Sequence, residues 1–151
     1  MSATELVADL ATRARTAART LSTATGAERK AALEAIAQAI ESRSAEILAA
    51  NEADMVNARA ENMHPQMQDR LLLTAERIKA IAAGAREVAA LPDPLGQILR
   101  KSTLPNGLEL EQISVPFGVI GMVYEARPNV TVDAAVILLM SGNAALLRGS
   151  S

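Results

Sequence analysis

The 151-residue chain is half hydrophobic and 21% charged with a formal net charge of -2, the balance of a folded globular protein rather than a disordered or fibrous one. Acidic and basic residues interleave along it, so it offers no basic stripe for a phosphate backbone and nucleic acid is not an expected partner. With no cysteine and one histidine, it offers no disulfide, thiol nucleophile or thiolate metal site, and no bound metal is expected.

Phe117 and Tyr124 are the only aromatic side chains, and Ala and Leu supply most of the apolar half. Such a core relies on small and branched residues packed between helices. The opening MSATELVADLATRART is interrupted by polar residues, and lacks an uncharged run that would serve as a signal peptide or membrane span. A cytoplasmic location is expected.

The first ninety residues carry helical periodicity. Leu6, Val7, Leu10, Ala14, Ala17 and Leu21 recur at three- and four-residue spacing and predict one helix, with a stop near Thr25 and Gly26. Leu33, Ile36, Ala37 and Ile40 mark a second. A third spans roughly residues 45 to 60 with Ile47, Leu48, Met55 and Val56 inward, and Pro65 closes this part. His64, just before it, reads as a surface loop residue. Thr74 is the expected N-cap of a further helix, with Glu76 in its first turn and Ile78, Ile81, Ala82, Ala85, Val88 and Ala89 on one face. Pro92 and Pro94 end it at Leu91.

The period then changes. In QILRKSTLPNGLELEQISVP the Pro-Asn-Gly at 105 to 107 is a turn signal, and the alternating flanks predict a half-exposed hairpin. GVIGMVY, from Gly118, is a short apolar run with the look of a strand covered on both faces in a parallel sheet. The turn EARPN comes next, then TVDAAVILLM as a buried helix ended by a left-handed Gly142, then AALLR as a second strand. Strand, turn, helix and strand make a β-α-β unit. The reading is thus α/β: a helical segment at 1–91, a hairpin connector at 92–116, and the start of a Rossmann-like, nucleotide-binding domain at 117–151. A doubly wound sheet needs further strands, so the helix and strand of this last part are expected to lack covering layers and to expose apolar surface.

Three features carry chemistry. Gly118 and Gly121 resemble half of a dinucleotide fingerprint, but they lie within the strand rather than after it, and close packing explains them better. Glu125, Arg127 and Asn129 sit in the turn at the carboxyl end of the strand, where open α/β sheets place ligands. Asn129 can donate to a developing oxyanion, and Arg127 suits a carboxylate or phosphate. The alternative is structural: Asn129 or Thr131 caps the helix, and Glu125 pairs with Arg127. Arg148, Gly149 and Ser150 close the second strand at the same edge, suited to a ribose or phosphate; an exposed strand end is the other reading.

The string VPFGVIGMVYEARPNVTVDAAVILLMSGNAALLRGS closely resembles the signature of the gamma-glutamyl phosphate reductase family within the aldehyde dehydrogenase superfamily. The resemblance extends upstream through DRLLLTAERIKAIAAGAREVAALPDPLG, LPNGLELEQ and ANEADMVNAR. It implies an NADP-dependent enzyme that converts L-glutamate 5-phosphate to L-glutamate 5-semialdehyde in proline biosynthesis. The chemistry is that of a cysteine thioester, with a functional link to glutamate 5-kinase and a homo-oligomeric assembly. By that resemblance Asn129 belongs to the oxyanion hole. Arg148, Gly149, Ser150, Tyr124 and Glu125 contact the cofactor, and Arg127 contacts substrate. Met140 stands where the family commonly has a lysine. Family members are longer and their catalytic cysteine lies beyond residue 151, so this chain alone is expected to be inactive and to bind NADPH weakly or not at all. Two rivals remain: another aldehyde dehydrogenase, whose turn would tend to read proline-tryptophan-asparagine instead of YEARPN, and a non-catalytic helical interaction module.

Overall fold

The computed structural model describes residues 2–125 and 127–149. Five helices come first: α1 (Ala3–Thr23), α2 (Gly26–Ser42), α3 (Ser44–Ala60), α4 (Pro65–Leu71) and α5 (Ala75–Ala90). Next comes an antiparallel hairpin of β1 (Ile98–Thr103) and β2 (Glu109–Ile113). The chain then forms β3 (Val119–Tyr124), α6 (Pro128–Met140) and β4 (Ala144–Gly149), with β3 and β4 parallel and in register from Val119 opposite Ala144 to Tyr124 opposite Gly149. The α/β reading and the β-α-β unit both stand.

Local chemistry sets most boundaries. Ser2 with Glu5 and Thr25 with Glu28 form reciprocal capping boxes at the starts of α1 and α2. Gly26 therefore opens α2 instead of stopping α1, whose last residue is Thr23. Pro65 likewise begins a helix rather than closing one: it fills the first turn of α4, where its missing N–H is no loss. His64 caps that helix, its Nδ1 accepting from the Gln66 amide at 3.4 Å. Thr74 caps α5 as expected, accepting from the Arg77 amide at 3.2 Å. Gly142 at φ +73° ends α6. The Asn143 and Gly142 amides reach back to the Leu138 and Leu139 carbonyls, closing the last turn. Asn62 at φ +56° ends α3 in the same way.

The main core is an alanine-lined junction of α2, α5 and α6. Leu33 and Ala37 meet Ala82 and Ala85, and Val136 and Met140 close over them, all at 3% exposure or less. Small side chains let α2 and α5 approach closely, and the few large ones carry the apolar burial, at about 1.5–3 kcal/mol for each of Leu33, Ile78 and Val136. The covering layers expected to be missing are partly supplied by the amino-terminal helices. Ala14 and Ala18 of α1 pack on Ala144, Val119 and Leu146 across one face of the small sheet, and α6 covers the other. The packing thus crosses the chain segments 1–91 and 117–151. In α1, Ala18 rather than Ala17 is buried, and Leu6, Val7 and Leu10 remain exposed. Val56 of α3 also faces outward.

Elsewhere apolar surface is open. The hairpin buries neither face, leaving Ile98, Leu99, Leu108, Leu110 and Ile113 exposed, and Phe117 is 91% exposed. Nor is β3 covered on both sides along its whole length as its composition predicted: Val123 is 82% exposed, since α1 packs on this face only near Val119, Ala144 and Leu146.

An ion pair built on a buried arginine ties the helices to the chain leading into the hairpin. The Arg29 side chain, 3% exposed, donates through Nη2 to both carboxylate oxygens of Asp93 at 2.7 Å and through Nη1 to the Ala24 carbonyl. Asp93 also accepts from the Leu95 amide at 3.0 Å. Its carboxyl is held below the ordinary aspartate value, first by that amide and then by Arg29. The carboxylate lies so close to Gly26 that a Cβ there would fall 2.2 Å from its Oδ2.

Candidate functional site

The polar corner between β3 and α6 sits at the carboxyl ends of the two parallel strands, as the sequence predicts for a ligand edge. Glu125 leaves the strand, and Pro128 at the first helical position sets where α6 begins. Arg127 occupies the cap position of α6 without a capping side chain.

Neither Asn129 nor Thr131 caps α6, which removes capping as the explanation for both. Asn129 lies in the first turn, and its Nδ2 donates to Asp133 Oδ2 one turn on, at 3.3 Å. A carboxylate only accepts, so this contact turns the amide's donor side toward Asp133 and leaves the second N–H of Nδ2 free. The Thr131 hydroxyl shares a 2.7 Å hydrogen bond with the Tyr124 hydroxyl, which pins the end of β3 to α6.

Glu125 and Arg127 do pair, with Arg127 Nη2 2.9 Å from Glu125 Oε1. The carboxylate is also shared with a residue that sequence reasoning missed. Arg70 of α4 places Nη1 3.5 Å from Glu125 Oε2. Arg70 lies in the string DRLLLTAERI that carries the family resemblance, but neither that string nor periodicity marks its pairing with Glu125, which depends on how α4 docks.

These residues line two hollows. A cleft of about 550 Å³ runs between the α3–α4 region and the strand ends, and is bordered by Tyr124, Glu125, Arg127, Thr131 and Gly149, with Asp54 and Glu61 among the facing residues. A second, of about 370 Å³, lies between α4, α5 and α6 and contains Asn129, Asp133, Asp69, Arg70 and Arg77. Arg77 is consumed there: it bonds Asp69 at 2.8 Å and the Leu72 carbonyl at 2.7 Å. Tyr124, Glu125, Arg127 and Gly149 are thus brought together, whereas Asn129 faces the adjoining hollow.

Arg148 stands apart from both. Strand alternation puts it on the α1 face with Ala144 and Leu146, while Tyr124 and Gly149 turn toward α6. It is exposed, and its guanidinium reaches the Gly149 carbonyl. Ser150 lies outside the described residues. Among those described, no cluster of metal-ligating side chains occurs, and no helix is long and apolar enough to cross a membrane.

No family model matches the chain. Individual relatives do. It is 54% identical over 147 residues to the gamma-glutamyl phosphate reductase of Kineococcus radiotolerans, covering 97% of this chain and 34% of that protein. To that of Geobacillus thermodenitrificans it is 55% identical over 141 residues, or 93% of this chain and 34% of the relative. Among solved structures, the gamma-glutamyl phosphate reductase of Thermotoga maritima superposes with a TM-score of 0.89 at 38% identity, over 93% of this chain and 34% of that one. The Saccharomyces cerevisiae enzyme superposes at 0.90 and 30% identity, over all of this chain and 38% of that one. The chain therefore spans about a third of the length of the relatives it matches. In sequence and in fold alike, it belongs to the gamma-glutamyl phosphate reductase family.

Proposed function

We propose that this chain is the amino-terminal part of an NADP-dependent reductase that converts L-glutamate 5-phosphate to L-glutamate 5-semialdehyde and phosphate. The observation that carries the reading is the corner from Tyr124 to Asn129 at the carboxyl ends of parallel strands, in a chain more than half identical to named reductases.

Each residue then has a role. Asn129 lies beside the reacting carbonyl, its free amide N–H donating to the oxygen as negative charge grows there. Asp133 is the positioning partner that holds the amide this way round. Arg127 meets the substrate's anionic groups. The strand ends suit a dinucleotide: Gly149 presents bare backbone, and a Cβ there would come within 3.5 Å of the Tyr124 ring. Arg148 is an exposed guanidinium with no carboxylate partner among the described residues, which suits the phosphate that distinguishes NADP from NAD. Tyr124, Glu125 and Ser150 complete the cofactor side. When bound, NADPH supplies the hydride. The thiol that covalent acyl transfer needs is not among these 151 residues, which include no cysteine. The proposal extends to a cytoplasmic homo-oligomer working with glutamate 5-kinase. Association is supported by the open apolar faces of the hairpin.

The test joins residues 1–151 to the remaining two thirds of the Kineococcus radiotolerans relative and follows NADPH oxidation with glutamate 5-phosphate. Turnover is expected, and Asn129→Ala should lower kcat by about 10²-fold with KM little changed. An unaltered kcat in that variant would remove the oxyanion role. The 151-residue chain by itself should give no turnover.

A further inference from the structure

Glu125 is held by two arginines at once. Its two carboxylate oxygens each face a different guanidinium, Arg127 at 2.9 Å and Arg70 at 3.5 Å. The two arginines come from separate elements, the β3–α6 corner and α4, so tertiary folding brings two positive charges to one point. One carboxylate neutralises half of that charge. The Arg70 contact is longer than a charge-assisted hydrogen bond of about 2.7–2.9 Å, which leaves its fork under-used. Arg127 Nε is buried without a partner. Neither arginine has another carboxylate partner among the described residues, and the uncapped first turn of α6 adds its positive end beside them.

We propose that Arg70 and Arg127 form a binding site for a phosphate dianion, and that Glu125 fills it with its own carboxylate until the ligand displaces it. This deepens the function proposed above, whose substrate and cofactor both carry phosphate groups. A dianion matches both guanidiniums, offers an acceptor to the orphaned Nε–H, and frees Glu125 to solvent, to which it is already half open. Arg70 borders the hollow that contains Asn129, so the site adjoins the expected position of the reacting carbonyl. Of the acids in that hollow, Asp69 is neutralised by Arg77 and Asp133 accepts from Asn129.

The test titrates the 151-residue chain with inorganic phosphate by calorimetry, with circular dichroism confirming that each variant is folded. Saturable binding is expected, and Arg70→Gln should weaken it about tenfold. Glu125→Gln should tighten it severalfold by removing the internal competitor, a gain that neither unfolding nor a purely structural ion pair produces. Equal binding by Arg70→Gln, no gain in Glu125→Gln, or no saturable binding at all would each overturn the proposal. Acetyl phosphate and adenosine 2',5'-bisphosphate form the comparison arms: the one whose binding depends more on Arg70 shows whether the site takes the acyl phosphate or the cofactor's phosphate. This measurement is independent of turnover, so a failed Asn129 role and a failed phosphate site give different results.

Discussion

Two arginine–carboxylate groups in this chain use the same chemistry for opposite ends. At Arg29 and Asp93 one guanidinium meets one carboxylate through 2.7 Å contacts, the arginine is buried, and further bonds join Arg29 to Ala24 and Asp93 to Leu95. At Arg70, Glu125 and Arg127 two guanidiniums share one carboxylate, and all three side chains are a third or more exposed. The first is a closed latch that fixes the helices to the chain leading into the hairpin. The second is unbalanced in charge and open to water, the arrangement expected where a ligand completes the set. Desolvation decides the difference: a buried pair is costly to break, and an exposed one is cheap to rearrange.

The comparison can be broken most sharply at the latch. Asp93→Ala leaves Arg29 buried without its counterion and should cost about 3 kcal/mol, the low end for a broken buried pair because the Asp93 side itself is partly hydrated. Urea unfolding measures it, and a loss below about 1 kcal/mol would show that the pair is not a latch. Acid should act on the same group next. Because Asp93 is held below its ordinary value of 3.8 in the fold, its stabilising contribution is present above that value and lost as pH falls through the lower, folded value. Stability measured from pH 6 to 2 should therefore fall more steeply for the parent than for Asp93→Asn. The smallest effect belongs to the open group, where Glu125→Gln should change stability by no more than about 0.5 kcal/mol. A larger loss would make Glu125 a structural fastener and undercut its role as a displaceable stand-in.

Much of the fold is legible because the signals are local. Thr74 and the Pro92 to Pro94 pair bracket α5, and Pro105 to Gly107 turns the hairpin. Gly142 ends α6 through its positive φ and the local bonds that close the last turn. Sequence reasoning errs where one local signal serves two structures. Gly26 and Pro65 have the composition of helix stops, yet both start helices, since Thr25 and His64 supply the caps of α2 and α4. The corner from Glu125 to Asn129 is legible from its place after an apolar strand. The division of its members between two hollows is not, because the direction of Arg127 and of Asn129 depends on the helices that pack nearby.

By itself the sequence determined the long helices, the turns, the parallel β-α-β unit and the family, since period, caps and a long idiosyncratic string lie within stretches of contiguous residues; the short α4 it missed. Only the tertiary structure decided that α1 covers the small sheet, that Arg29 reaches Asp93, and that Arg70 meets Glu125. Those pairings join residues far apart along the chain. Nothing in the spacing of an arginine announces which carboxylate folding will bring to it.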